Sequence, residues 1–576
     1  MSAIRATGFR NLTGRIPLCE PLAVLVGENN AGKSNVIDAC RLLFAPEAGP
    51  RARRWITQDD FAHDAAGVRT TDEFELEAEL RGLSDAERAR MVTCLAPSLD
   101  VPDAARLRLR ARLRPDGRVD TEWVGGDGDH PDLERWAREA ITCTYLHPLR
   151  DAAADLRPGR ENRLVGLLSS LAPEGHGDRA AIEQIVTEAN AALDEVPAVR
   201  AAKARVQDRV SALTGDGSFT QRTDLVFADP QFDRIVAALR ALAGWLHPLE
   251  LGENGLGYNN LLYMAVLLSA LAQSSDAALR VLLIEEPEAH LHPQLQDLLM
   301  RYLEVEGGPG TQVIVTSHSP NFASAARVER VTVLARSHPG DEVVGRTPAE
   351  FGLSARHLDH LRRFLDVTKA ALLFARGVIL VEGVAEQLLV PVLARRLGRP
   401  LSRSGVAVIN VGGVAFQPFL ELFGAERLPC RCSVISDGDP PNAPSPDELD
   451  GADPALSVVA EALQAQEADT VRVRLARRTL EWDLAAAANW ETLLRALGEV
   501  KPKVAPRLAA EYEGASTEDR ADAILDAVSN VKGRFAQELA GLLADDEVPL
   551  EMPDYLREAI EWVTEDQDGG GAGPAV

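Results

Sequence analysis

Two groups of residues in this 576-residue chain have types and spacing suited to chemistry. The first begins at Gly27: Gly27, Glu28, Asn29, Asn30, Ala31, Gly32, Lys33 and Ser34 follow the G-x-x-x-x-G-K-[ST] spacing of a P-loop. Glycine lets the backbone curl, so that the successive N–H groups of Asn29, Asn30, Ala31 and Gly32 point inward at phosphate oxygens. Lys33 adds a point charge for the β- and γ-phosphates, and the Ser34 hydroxyl is a ligand for Mg²⁺. Much later an apolar run, Val281 to Ile284, delivers Glu285 and Glu286 to its end. There Glu285 is expected to hold Mg²⁺ through water and Glu286 to polarise the attacking water. Paired carboxylates at a buried edge are unfavourable without a cation, and ATP-bound Mg²⁺ is the natural one.

The second group lies in the C-terminal half. The apolar run Val378 to Val381 ends in Glu382-Gly383, and Glu386 falls one helical turn later, so both carboxylates face one spot. The segment Ser433–Asp439, SVISDGD, reads as another strand ending in Asp437 and Asp439, whose alternate spacing also makes them converge. Like charges a few ångström apart force some groups to protonate. One or two Mg²⁺ or Mn²⁺ ions among Glu382, Glu386, Asp437 and Asp439 relieve that conflict, and Ser436 can add an oxygen.

Both groups need strands and helices to place them. Leu22–Val26 reads as a buried strand feeding the P-loop, and Asn35 to Leu43 as an amphipathic helix whose N-terminus faces the phosphates. Ile4–Phe9 reads as a strand, with the N-L-T-G-R segment after it as a turn. Residues 72–124 alternate apolar with charged side chains, the period of half-buried antiparallel strands, and Asp116-Gly117 is a hairpin turn between Leu113 and Val119. From Glu161 to Trp245 the pattern is helical and polar without sustained heptads, so no long coiled-coil arm is expected. Leu251–Leu262, LGENGLGYNNLL, is a glycine-rich turn opening a helix, and QVIVTSHSPNF places His318 after another apolar strand. His290 and His292 are expected to position the loop after Glu286 rather than bind a metal, because no third ligand is evident.

Composition sets the bounds. The length exceeds what one core fills, so roughly two or three domains are expected. Apolar residues make up 46% and charged residues 26%, which leaves little room for long disorder. A net charge of −26, from 87 acidic and 61 basic residues, argues against a histone-like nucleic-acid binder but allows a local basic groove. The six cysteines form no C-x-x-C pair, so neither a zinc ribbon nor a disulfide framework is supported. The N-terminus carries no apolar signal core and no apolar run is long enough to span a bilayer, so a cytoplasmic, soluble protein is expected.

The strings GENNAGKSN, IEEPEAHLHP and TSHSPNF together resemble the ABC ATPase head, in its RecF-like and OLD (overcoming lysogenization defect) branch. The resemblance covers roughly residues 1–335 and implies dimer-dependent ATP binding. It implies that Gln58, in RARRWITQDDF, senses Mg²⁺ and the γ-phosphate, that His318 contacts the γ-phosphate, and that the turn at Leu251–Leu262 caps the nucleotide of the opposite subunit.

The pattern E-G-x-x-E followed by D-x-D resembles a Toprim domain, which serves topoisomerases, bacterial primases and OLD-type nucleases. The six tyrosines show no DNA-gate context, and the cysteines exclude the zinc-binding region of a primase. An ATPase head in front of Toprim is the OLD nuclease arrangement. That resemblance extends to RTLEWDL and KGRFA, and implies that Glu481 completes a second metal site and Lys532 stabilises charge on the scissile phosphate. Basic clusters at Arg395, Arg396, Arg399 and Arg403, at Arg472, Arg474, Arg477 and Arg478, and at Lys501, Lys503 and Arg507 are candidate DNA contacts.

The expectation is therefore an α/β protein: an ABC-type ATPase domain (1–160 and 246–353) interrupted by a helical dimerisation insertion (161–245), then a Toprim domain with a parallel central sheet (354–568) and a disordered tail (569–576). Its expected activity is ATP-regulated, metal-dependent DNA endonuclease cleavage by two-metal hydrolysis, in anti-phage defence. The expected ions are two at the Toprim site and one with ATP, and the partners are DNA, further copies of the chain and, in Gabija-type systems, a helicase, with no membrane. The alternative is a RecF-like DNA-clamping repair ATPase whose Toprim unit does not cleave.

Overall fold

The computed structural model describes the chain apart from residues 45–54, 65, 100, 102, 129–132, 134–136, 138–139, 149–155, 160–161, 215–223, 244–246, 248, 254, 273–276, 309, 337–342, 439–456 and 566–576. Asp439, the arginines at 51, 53 and 54 and the expected tail at 569–576 therefore lie outside the described residues.

The N-terminal half is built on two sheets. Strands β1 (Ala3–Phe9), β2 (Leu12–Pro17), β4 (Glu73–Leu80), β5 (Ala105–Leu113) and β6 (Val119–Gly125) form an antiparallel sheet in the order β2-β1-β4-β5-β6. Its alternating sequence buries Leu76, Ala78, Leu107 and Leu109. The charged residues between them pair across strands, Glu73 opposite Arg112, Glu75 opposite Arg110 and Glu79 opposite Arg106. Opposite charges in register favour this pairing over a slip by one residue. The N-L-T-G-R segment departs from the expected turn. It is strand β2, paired with β1 from Ala3–Pro17 onward, and the reversal is confined to Arg10 and Asn11. Edge-strand pairing there overrides local turn propensity.

The second sheet has the order β13-β12-β3-β11-β10-β7, from β3 (Leu22–Gly27), β7 (Ile141–Leu146), β10 (Leu279–Glu285), β11 (Thr311–Thr316), β12 (Val331–Ala335) and β13 (Val344–Arg346). All six residues of β3 are buried, as expected of a parallel strand covered on both faces. The Lys33–Phe44 helix packs on one face. Between β7 and β10 in the chain come helices Arg163–Leu171, Gly177–Asp194 and Pro197–Thr214, none of which has a described buried side chain, and a short ribbon of β8 (Leu242–Ala243) and β9 (Leu249–Glu250).

The C-terminal half holds a wholly parallel sheet, β15-β14-β16-β17, from β14 (Gly377–Val381), β15 (Val406–Asn410), β16 (Arg431–Ser436) and β17 (Val471–Leu475). Alternation along β14 sends its side chains to two cores. Val378 and Leu380 join a cluster that runs continuously into the ATPase sheet through Val26, Ile284 and Val315. Ile379 and Val381 pack against helices Val384–Arg396, Leu480–Ala486, Lys532–Leu542 and Asp554–Thr564. Among the described residues no helix is long and apolar enough to cross a membrane.

Candidate active site

Strand β3 runs straight into the P-loop, and its geometry explains the glycines. Gly27 has φ +139° and a Cβ there would lie 2.3 Å from Leu334 O; Gly32 has φ +86°. Lys33 is buried, and its Nζ donates to Gly27 O at 2.8 Å and Glu28 O at 2.7 Å. Burial lowers its pKa to about 8, against the pull of Glu286 and Glu28. Ser34 Oγ donates to Glu285 Oε2 at 2.8 Å, so the P-loop hydroxyl and the carboxylate at the end of β10 meet as the sequence pattern requires. Glu286 has φ +45°, which turns its side chain out of the strand direction. Its Oε1 lies 3.5 Å from His318 Nε2.

Three features of this centre come from tertiary packing. Tyr145, at the end of β7, donates its hydroxyl to Glu285 Oε1 at 2.7 Å, and the Arg41 guanidinium covers its ring at 4.0 Å. Glu288 accepts from Ser317 Oγ at 2.7 Å and from His318 N at 2.9 Å, which ties the His318 loop to the turn after β10. Gly257, in the glycine-rich turn, lies so close to His290 that a Cβ would stand 2.6 Å from His290 O. His292 caps the Pro293–Glu306 helix, its ring nitrogen accepting from Gln294 N. Gln58 is exposed in a short 3-10 turn with its amide beside Gly117, and among the described residues no hydrogen bond joins it to the P-loop.

The second centre stands at the C-terminal ends of β14 and β16. Glu382 Oε2 accepts from Ser436 Oγ at 3.1 Å, and Glu386 Oε2 from Gly383 N at 3.1 Å. Asp437 Oδ1 accepts from Leu480 N at 3.2 Å. Glu481 is 2% exposed, and Lys532, first residue of its helix, places Nζ 3.1 Å from Glu481 Oε2. Thr479, not Glu481, caps the Leu480–Ala486 helix. Burial, then the charge of Glu386, pushes Asp437 up to about 8, with Lys532 opposing and Glu382 and Glu481 adding to the rise. Burial and the same neighbours raise Glu386 as well. Asp483, which the sequence pattern did not single out, is buried on the Glu481 helix and pushed up to about 6 by that burial.

Residues 220–323 match the AAA ATPase domain family, and residues 373–439 match the TOPRIM domain of overcoming lysogenization defect protein-like proteins. The chain is thus similar to OLD proteins in carrying an ATPase match followed by an OLD-like TOPRIM match. Its relatives include the OLD nuclease of Thermus scotoductus, 33% identical over 28% of this chain and 31% of that protein. The Old nuclease of Escherichia phage P2 is 22% identical over 72% of this chain and 73% of its own length. An uncharacterized Escherichia coli K12 protein, YbjD, is 26% identical over 76% of this chain and 79% of its own.

ATPase and Toprim domains in general use nucleotide and divalent metal. In this chain, among the described residues, no three carboxylate, imidazole or thiol groups converge closely enough to hold an ion. Each carboxylate is turned instead to its own donor, the arrangement that mutual repulsion favours. The donor set still fits a hard cation: Glu382, Glu386, Asp437 and Glu481 supply carboxylate oxygens from separate elements. The buried Tyr555 hydroxyl, whose pKa these charges raise, has no hydrogen-bond partner among the described residues.

The basic clusters fare unevenly as candidate DNA contacts. Arg395 and Arg396 donate to the carbonyls of Leu543, Ala544, Asp545 and Val548, and Lys501 to Ala527 O, so these bind helix ends together. Arg474 pairs with Glu467 and Glu558. Arg477, in contrast, is exposed on the loop leading to Glu481, as are Arg403, Lys503 and Arg507 elsewhere.

Proposed function

We propose that this OLD-like chain is an ATP-regulated, metal-dependent DNA endonuclease that hydrolyses phosphodiester bonds at its Toprim centre. A nuclease with an ATPase domain is what the similarity supports. The observation that carries the finer reading is Asp437 surrounded by Glu382, Glu386, Glu481 and Lys532 at the ends of two parallel strands. An acidic group held near 8 when free of ions is one that a divalent cation will ionise.

In this reading Glu382, Glu386 and Asp437 are the principal ligands, with Asp439 and Glu481 completing a two-ion site. Two bound Mg²⁺ or Mn²⁺ ions supply Lewis-acid activation of the attacking water and the leaving oxygen. Lys532 answers the charge that develops on the scissile phosphate, and its pairing with Glu481 keeps it in place. At the other centre Asn29 to Ser34 hold ATP, Glu285 and Ser34 its Mg²⁺, Glu286 the hydrolytic water and His318 the γ-phosphate, and Gln58 is the candidate sensor of Mg²⁺ and the γ-phosphate that the resemblance implies. DNA is the substrate, and self-association runs through the ATPase head and the helical insertion at 161–245. A role in anti-phage defence, alone or with a helicase, rests on the family resemblance alone.

The test is plasmid cleavage by purified protein in Mg²⁺ or Mn²⁺, with and without ATP. Nicking or linearisation is expected. DNA binding without cleavage under every ionic condition would favour the clamping ATPase.

A further inference from the structure

Tyr555 Oη is buried and, among the described residues, without a hydrogen-bond partner. Its helix, Asp554–Thr564, runs antiparallel to the Toprim strands. Near its end, Val563 stands where a Cβ on Gly377, the first residue of β14, would meet it at 2.9 Å. Arg431, the first residue of β16, donates to Trp562 O at 2.6 Å. A helix rises about 1.5 Å per residue and a strand about 3.3 Å, so the start of this helix is level with the strand ends from which Glu382 and Asp437 emerge. The segment before it is pinned to the helix that carries Glu481 and Asp483. Glu551 N donates to Asn489 Oδ1 at 2.7 Å, and Asn489 Nδ2 donates to Leu484 O and Glu551 O at 2.8 Å each. Tyr555 is thereby placed at the end of the sheet from which these carboxylates emerge.

A buried hydroxyl without a partner is unfavourable and needs an explanation. Burial, then the charges of Asp483, Asp437, Glu386 and Glu481, holds the phenol far above its ordinary pKa. It is thus a protonated donor at neutral pH, not a nucleophile. Asp483 already accepts from Arg478 N through Oδ2 at 3.3 Å, whereas Asp437 accepts from Leu480 N through Oδ1.

We propose that Tyr555 is a positioning residue of the cation site: when divalent ions draw the carboxylates together, its hydroxyl donates to Asp437 and fixes the orientation of that ligand. The proposal rests on the reading of Glu382, Glu386, Asp437 and Glu481 as a cation site.

Mn²⁺ binding to the nucleotide-free, full-length protein, measured by electron paramagnetic resonance for wild type, Tyr555→Phe and Asp437→Ala, tests it. Partners that orient metal ligands are worth about 10–100-fold in metal affinity, so Tyr555→Phe is expected to bind Mn²⁺ about tenfold more weakly. Its metal-free thermal midpoint should equal or exceed that of wild type, because the orphaned hydroxyl is gone. Unchanged Mn²⁺ affinity in Tyr555→Phe overturns the role of Tyr555. So does weaker binding together with a lowered metal-free midpoint, the mark of a merely structural tyrosine. Equal binding by wild type and Asp437→Ala overturns the cation-site reading itself.

Discussion

Arg376 Nε lies 2.8 and 2.9 Å from the two carboxylate oxygens of Glu28, so a P-loop residue grips the position immediately before the central Toprim strand. Glu28 is engaged twice: its carbonyl also accepts from Lys33 Nζ at 2.7 Å. Lys33 Nζ has three donors and uses two of them on Gly27 O and Glu28 O, so phosphate binding by this lysine acts directly on the residue that holds Arg376. The apolar cluster shared by β3, β10, β14 and β16 gives the two sheets a common core through which such an action is felt.

Breaking this grip should weaken communication without destroying either centre. The pair is partly exposed, 54% for Arg376 and 35% for Glu28, so its worth is at most about 1 kcal/mol, or about a fivefold effect on coupling. In Arg376→Ala the ratio of plasmid cleavage with ATP to that without should move toward one by up to about that factor, while ATP affinity holds. Exchange of the two charges, Glu28→Arg with Arg376→Glu, should restore part of the ratio.

Tyr145→Phe removes a donor from the buried Glu285 while leaving Ser34 in place. ATP turnover should fall about tenfold, with the Mg²⁺ requirement shifted to higher concentration, as for other residues that orient a metal ligand. Steady-state hydrolysis across a Mg²⁺ titration checks this, and an unchanged profile would remove Tyr145 from the site.

Glu288 offers a pH-dependent signature. Burial raises its pKa above the ordinary 4.5 despite the donors Ser317 and His318 N. The ionised form is thus the disfavoured one in the folded protein. That penalty is absent below the unfolded value, grows as pH rises from the unfolded to the folded value, and is constant above it. Glu288→Gln retains an oxygen acceptor and removes the charge. Its thermal midpoint should match wild type near pH 4 and rise above it by pH 8. A midpoint unchanged near pH 4 but lowered at pH 8 would show that the carboxylate charge is stabilising.

The features legible in the sequence were those in which one short segment carries both the strand and the chemistry. Gly27 to Ser34, Glu285-Glu286 and Glu382 to Glu386 are of this kind, because a strand end and the following turn fix where their side chains go. Tyr145 and Tyr555 act from other strands and helices, and no local period marks a tyrosine whose hydroxyl reaches a carboxylate 140 residues away; Glu288 and Asp483 lie in the singled-out segments, but their buried partners come from folding. Charge runs misled in the opposite sense. Arg395 and Arg396 look like a phosphate-binding patch, yet they satisfy helix C-terminal carbonyls. Strand β2 was hidden by its Thr13-Gly14 pair, which reads as a turn unless the neighbouring strand is known.

The most direct test of the nuclease assignment is plasmid cleavage by Asp437→Ala beside wild type in Mn²⁺, with ATP binding measured on the same samples. Wild type should nick or linearise DNA, and Asp437→Ala should retain ATP binding with cleavage reduced by at least about a thousandfold, the scale of losing a central electrostatic element of catalysis. Cleavage by Asp437→Ala at the wild-type rate would contradict the assignment of the site.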